Sequence, residues 1–290
     1  MPAPLVLLSL ACTPSAQAPE PAPETEDAGA ADAADAGMSP ARPGMLTEDG
    51  FQAIHALRAD DGLGALAGQA LQLGDGSSAY LSLPASHVPG DPAVLVIHEW
   101  WGLNDHIRRW ADRLAEDGYA ALAIDLYGGQ VATESADAME KMKAVDPAAA
   151  QATIRAGHSF LTDHALVRAG KTGVLGWCFG GGWALQAAIQ QPELDATVIY
   201  YGRLVTEPDP LKDIQGPILG IFAERDAGIP IEDVRAFESA AQEAGVPVQI
   251  KTFDADHAFA NPSGERYNTT HAAAAWDAAR QFLSAQLKEG

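Results

Sequence analysis

Cysteine is nearly absent from this chain of 290 residues: only Cys12 and Cys178 occur. That excludes a disulfide framework and leaves each cysteine to be explained alone. Basic residues are scarce as well. Eighteen Lys and Arg stand against 39 Asp and Glu, a formal net charge of -21, and both nucleic acid and an anionic lipid surface would repel such a chain. No apolar run reaches the length of a membrane-spanning helix, and no internal repeat is present. A zinc-protease reading of His98-Glu99 fails because Gly102 stands where the second histidine would be needed. Asp254, Asp256 and His257 are spaced too loosely to be preferred as a cation site. What remains is ample for a core: 47% of residues are hydrophobic, in a length that one large α/β domain can fill.

The chain divides by composition. Residues 1–12 contain the apolar stretch Leu5 to Ala11, too short to span a bilayer, followed by Cys12. This segment resembles the end of a bacterial lipoprotein signal. The resemblance implies an acylated Cys12 and an exported protein facing the periplasm or cell envelope, with the membrane reached only through that anchor. Residues 13–45 are rich in Ala, Pro, Glu and Asp, with six acidic residues against the single Arg42 between Cys12 and Gly44. Such a segment buries too little apolar surface to offset the entropy of ordering and is expected to be a tether. Residues 46–290 are expected to form the folded domain, with a short helix over its edge suggested between Met45 and Gly64.

Within that domain, Leu66 to Leu73 and Ser77 to Leu83 flank Gly74-Asp75-Gly76, a hairpin signature. From Ala93 onward, short apolar runs alternate with helical patterns, which predicts a mostly parallel sheet with helices on both faces. Strands are predicted at Val94 to His98, Ala120 to Ile124, Thr172 to Leu175, Ala196 to Tyr200, Ile218 to Ala223 and Val248 to Phe253. Helices are predicted at Asn104 to Asp117, Thr133 to Val145, Ala148 to Leu161, Trp183 to Gln190, Ile231 to Ala244 and Thr270 to Leu287. Met139 and Met142 are read as core.

Gly176-Trp177-Cys178-Phe179-Gly180 lies between a strand and a helix, the frame of a nucleophile elbow with cysteine in the serine position. A helix N-terminus after Cys178 favours a thiolate and an oxyanion. A buried, inert cysteine in an ordinary turn, or a phosphate-binding loop, is the alternative. The rest of the chain bears on this choice, because parallel sheets gather their chemistry beyond the carboxyl ends of the strands. Asp226 follows one predicted strand there and His257 another, in the chain order nucleophile, acid, histidine of α/β hydrolases. Glu224 is the rival acid, and Asp226 is preferred because the turn Gly228-Ile229-Pro230 follows and aims it.

With these residues in place, Leu66 to Leu287 resembles the dienelactone hydrolase, or carboxymethylenebutenolidase, family. The carrying motifs are Val96 to Leu103, Gly118-Tyr119, Asp125 to Gly128, Gly176 to Gly181, Glu224 to Gly228 and His257-Ala258-Phe259. The resemblance implies an α/β-hydrolase fold and a hydrolase of a small-molecule ester or lactone. Cys178 would be the nucleophile, His257 the base and Asp226 its orienting acid. It further implies that Glu99 contacts the resting thiol and moves aside for substrate; on physical grounds alone Glu99 could equally pair with Arg108 or Arg109. The backbone N–H groups of Phe179 and Trp100 are the expected oxyanion donors. Neither metal nor organic cofactor is called for.

Family members hold a substrate carboxylate with arginines, one of them four residues beyond the histidine. Here that position is Asn261. Arg203 or Arg225 is the available substitute, and a less charged ester or lactone is expected. Trp100, Trp101, Trp177 and Phe259 are candidates for an apolar pocket wall. A thioesterase or peptidase using the same triad, and a non-catalytic binding lipoprotein that kept the fold, are the rival functions.

Overall fold

The computed structural model describes residues 65–289. The expectations for residues 1–12, including Cys12, for residues 13–45 and for the helix before Gly64 lie outside the described residues. The first two strands, β1 (Gln69–Gln72) and β2 (Ser78–Ser82), form the antiparallel hairpin. Then follow β3 (Ala93–Ile97), helix α1 (Asp105–Glu116), β4 (Ala120–Ile124), α2 (Ser135–Lys143), α3 (Pro147–Asp163), β5 (Thr172–Trp177) and α4 (Phe179–Gln190). The order closes with β6 (Ala196–Tyr200), β7 (Ile218–Ala223), α5 (Ile231–Ala244), β8 (Val248–Phe253) and α6 (Thr269–Leu287).

The strands form one sheet in the order β1-β2-β4-β3-β5-β6-β7-β8. Only β2 runs against the others, pairing antiparallel with both β1 and β4; from β4 to β8 every pairing is parallel. Successive side chains on a strand point to opposite faces, so each central strand feeds two apolar layers. Val96, Leu175 and Trp177 meet Trp110 and Leu114 of α1 and Trp276 and Leu283 of α6 on one face. Leu95, Ile97 and Val174 meet Ile154 of α3 and Ala184 of α4 on the other, and α5 covers β6 and β7 there through Val234 and Phe237. No helix among the described residues is long and apolar enough to cross a membrane.

Two local features decide where the chemistry can sit. The chain leaves β3 towards β4 on one side and later returns to β5 on the other, so the strand order reverses between β3 and β5, the place where open α/β sheets bind their ligands. Helix α4 begins at Phe179 rather than at Trp183, because Gly180, Gly181 and Gly182 belong to its first turn. Glycine is a poor helix former, which is why the sequence pattern placed the start too late, but here close approach requires it. A Cβ on Gly180 would lie 2.3 Å from the Ile97 carbonyl oxygen, and one on Gly181 would lie 2.7 Å from that of Tyr200. The missing side chains let the helix N-terminus rest on the ends of β3 and β6. Gly180→Ala should therefore cost roughly 1–3 kcal/mol through overpacking against backbone, read as a fall in the midpoint of thermal unfolding. An unchanged midpoint would mean the contact relaxes freely.

Candidate active site

Cys178 is the residue between β5 and α4, and the geometry of the join is unusual. Its φ of 53° and ψ of -117° lie outside the regions open to ordinary side chains. Its N–H donates to the Tyr200 carbonyl at 2.9 Å, and its own carbonyl accepts from Gly181 N–H at 3.0 Å. One bond ties the corner to β6 and the other to the helix it starts. Among the described residues, four without glycine's freedom have positive φ: Arg168, Cys178, Tyr201 and Ala258. Cys178 and Tyr201 directly follow strands, and Ala258 adjoins His257. Strain of this kind persists only where surrounding structure over-determines it.

His257 stands on the loop after β8 and Asp226 on the loop after β7. His257 Nδ1 lies 2.6 Å from Asp226 Oδ2. The other carboxylate oxygen, Oδ1, accepts from the N–H groups of Gly228 at 2.8 Å and Ile229 at 3.0 Å. The tight turn anticipated from Gly228 to Pro230 thus holds Asp226 by its second oxygen and points the first at the imidazole. Glu224 is turned to the surface, where it accepts from the Thr252 hydroxyl, so it has no part in this arrangement. His257 and Asp226 are both buried. Burial alone would lower the imidazole pKa, but the charge of Asp226, the charge of Cys178 and the hydrogen bond to Asp226 outweigh it, and the pKa is raised well above the ordinary value.

Glu99 follows β3 by two residues and is buried. Its Oε2 accepts from Asn261 Nδ2 at 2.5 Å. Asn261 is itself oriented, since its Oδ1 accepts from Ser263 N–H at 2.8 Å and from the Ser263 hydroxyl at 2.6 Å. Arg108 bonds to Asp105 instead of Glu99. Burial pushes the Glu99 carboxyl up to about 7, against the opposing pull of the His257 charge, of the hydrogen bond from Asn261 and of the neighbouring Tyr201.

A stability prediction follows from that shift. The folded protein holds the Glu99 proton more tightly than the unfolded chain does. The resulting stabilisation is complete below the ordinary glutamate value of 4.5 and is lost as pH rises through about 7. Glu99→Gln keeps a neutral acceptor for Asn261 and removes the titration. Relative to the parent, it should gain on the order of 2–3 kcal/mol between about pH 4.5 and 8, visible as diverging thermal midpoints. Midpoints that stay parallel across that range would place the Glu99 ionisation in contact with water.

The aromatic candidates separate into two groups. Trp177 lies in the core, 5.2 Å from the Trp110 ring and 5.5 Å from Tyr200, because the strand alternation turns it under the sheet towards α1 and α6. Phe259 is likewise packed between Tyr201 and Phe253. Each is enclosed by other side chains. Trp100 and Trp101 lie edge to face at 4.9 Å and form a small separate cluster with Ala138 and Met139 of α2, against which Phe179 and Met142 pack. The Phe179 ring also reaches Tyr127 and His98.

Arg225 is half exposed and paired with Asp254 and, at 3.4 Å, with Asp256. It is therefore engaged at the surface rather than available to a substrate between the ends of β3 and β5, and the two aspartates are committed to it rather than to a cation. Arg203 is partly buried on the segment after β6. Asn261 as the partner of Glu99, and Tyr201 as its neighbour, were not singled out in the sequence. Tyr201 carried the same signal as the others, a polar residue immediately past a central strand. Asn261 carried none beyond lying four residues after His257.

Comparison with known proteins adds the following. The model of the dienelactone hydrolase family matches residues 78–287. A protein of Aquifex aeolicus provisionally named carboxymethylenebutenolidase is 34% identical over 208 residues, 68% of this chain and 89% of its own. Among solved structures, a provisionally named dienelactone hydrolase of Klebsiella pneumoniae superposes with a TM-score of 0.68 at 26% identity, covering 78% of this chain and 100% of its own. P91, a dienelactone hydrolase-like promiscuous phosphotriesterase from metagenomic libraries, superposes with a TM-score of 0.69 at 26% identity, covering 77% and 99%.

Proposed function

The chain belongs to the dienelactone hydrolase family, and on that premise we propose that it hydrolyses a small, uncharged ester or lactone through a thioester formed on Cys178. The observation that carries the reading is the Asp226–His257 bond of 2.6 Å, with the charge of the strained cysteine also among the influences that raise the imidazole pKa. The imidazole Nδ1 is held by the carboxylate, which leaves Nε2 for the thiol proton.

In this mechanism His257 takes the proton from Sγ as sulfur attacks the carbonyl carbon. The N–H groups of Phe179 and Trp100 receive the oxyanion. Collapse of the tetrahedral adduct breaks the carbon–oxygen bond, and the departing alkoxide recovers the proton from His257; in a lactone it stays attached to the acyl group. Water then attacks the thioester with His257 as base, the carbon–sulfur bond breaks, and the proton returns to sulfur. Glu99 stands beside this path as a carboxyl that titrates near neutrality, suited to accept a proton transiently. The preference for an uncharged acyl group draws on Asn261, an amide, bonding Glu99 and on Arg225 being paired at the surface.

The test is a panel of p-nitrophenyl acetate, its hemisuccinate counterpart, simple lactones, thioesters and short peptides, with mass spectrometry of the quenched enzyme. The reading expects turnover of uncharged esters or lactones above the hemisuccinate, and an acyl adduct on the peptide carrying Cys178. Turnover confined to thioesters or peptides would move the assignment to those classes on the same triad. No turnover with no adduct would leave a binding protein. The envelope location is part of the proposal, and retention of Cys12→Ala in the membrane fraction would defeat it.

A further inference from the structure

His98 directly follows β3 and is fully enclosed, yet the hydrolytic scheme gives it no part. Its two ring nitrogens have unlike partners. Nε2 is 3.0 Å from the Leu126 N–H, which can only donate, so Nε2 carries the lone pair. The ring proton therefore sits on Nδ1, which donates to the Glu99 carbonyl at 2.5 Å. Burial favours the neutral ring and lowers its pKa, against weaker opposing pulls from the Glu99 carbonyl and Asp125. Asp125 Oδ1, 3.9 Å from Nε2, instead accepts from Tyr127 N–H at 2.8 Å. The ring is held by Tyr127, edge-on at 4.7 Å, and by Phe179, stacked at 5.8 Å.

The carbonyl of Glu99 and the N–H of Trp100 are two ends of one peptide group. That group is planar, and no cis bond occurs among the described residues, so its C=O and N–H point in opposite directions. Whatever holds the carbonyl also aims the N–H, and a donor at the oxygen polarises the amide and strengthens its hydrogen. Gly102 N–H holds the same oxygen less closely, at 3.2 Å. We propose that His98 is a positioning residue that orients and polarises the Glu99–Trp100 peptide, making the Trp100 N–H an effective oxyanion donor. The proposal rests on the hydrolase reading above. Through its stacking on Phe179, the same imidazole touches one expected oxyanion residue by its ring and the peptide that carries the other's N–H by its carbonyl.

Two substitutions divide the two bonds of His98. In His98→Asn the amide nitrogen takes the place of Nδ1 and still donates to Glu99, while the acceptor for Leu126 is lost. In His98→Gln the amide oxygen replaces Nε2 and still accepts from Leu126, while the donor to Glu99 is lost. With p-nitrophenyl acetate, His98→Gln should lower kcat by about 10- to 100-fold at nearly constant KM, less than removal of a whole oxyanion donor. His98→Asn should stay within about threefold of the parent, although both variants lose thermal stability. The carbonyl stretch of the acyl-enzyme should rise in His98→Gln and not in His98→Asn. Equal losses of kcat, or a greater loss in His98→Asn, would overturn the proposal. Should either variant fail to fold, nitrogen NMR of the parent decides: a neutral His98 protonated at Nδ1 supports it, and a proton on Nε2 defeats it. Cys178→Ala, assayed alongside, separates the two failures, because full activity there sinks the Cys178 mechanism on which the proposal rests and leaves the tautomer result to judge His98.

Discussion

Cys178→Ala is expected to lose hydrolysis of p-nitrophenyl acetate by roughly 10⁴-fold or more in kcat, with KM little changed. The expectation is large because alanine removes the sulfur that the proposed mechanism bonds to the acyl carbon, while leaving the surroundings in place. Alanine at φ 53° is strained as cysteine is, and the bonds that set the corner come from backbone, from Tyr200 and Gly181. The variant should therefore fold and unfold much like the parent, so lost turnover cannot be charged to lost structure. Cys178→Ser should fall between the two, since an alkoxide is a much harder nucleophile to generate with one imidazole than a thiolate. Equal rates for the three proteins, with the adduct still formed, would put the nucleophile elsewhere.

Asp226→Asn is expected to be nearly as damaging, on the order of 10⁴-fold in kcat, for a reason that concerns one proton. Gly228 and Ile229 both donate to Asp226 Oδ1. An asparagine must keep its oxygen there, so its amide group faces His257. A donor now meets Nδ1, the ring proton is driven to Nε2, and the nitrogen facing sulfur can no longer accept. The raised imidazole pKa, which the charge of Asp226 sustains against burial, should fall with it. A pH–rate profile would show the acidic limb moving down while the plateau collapses. Retention of more than about a tenth of the parent rate would mean that His257 does not need this orientation, and with it the catalytic reading of the pair would go. Glu224→Gln is the natural control, because that side chain bonds only Thr252 at the surface in this arrangement.

The fold was readable in the sequence wherever burial is set by neighbours in the chain. The five-residue apolar runs at Ala93–Ile97 and Ala120–Ile124 are buried from end to end, as parallel strands covered on both faces must be. Helix α1 shows its core face in Ile107, Trp110, Ala111 and Leu114, and Asn104 caps it by accepting from Ile107 N–H. The hairpin was announced by Gly74-Asp75-Gly76. The start of α4 was misread because intrinsic preference speaks against three glycines in a first turn, while the backbone approach that demands them is a contact with β3 and β6.

The candidate site was legible to the same depth. Order along the chain and the rule that chemistry follows strand ends single out Cys178, Asp226 and His257 as candidates, and the structure brings Asp226 and His257 together, because sheet topology converts positions far apart into neighbours in a regular way. Which groups then face one another depends on side-chain direction and on packing between distant segments, and no local pattern encodes that. Trp177 and Phe259, candidates for a pocket wall in the sequence, are turned into the core by strand alternation and loop course. Asn261 reaches Glu99 across 162 residues of chain, and His98 earns its role through an amide 28 residues away. The amino-acid sequence by itself determined the strands, the helices and the types of reactive group at their ends, since these depend on periodicity and residue chemistry. Only the tertiary structure decided which partner faces which ring nitrogen and which carboxyl burial shifts towards neutrality, because those are properties of partners and burial that exist only once the sheet has closed around them.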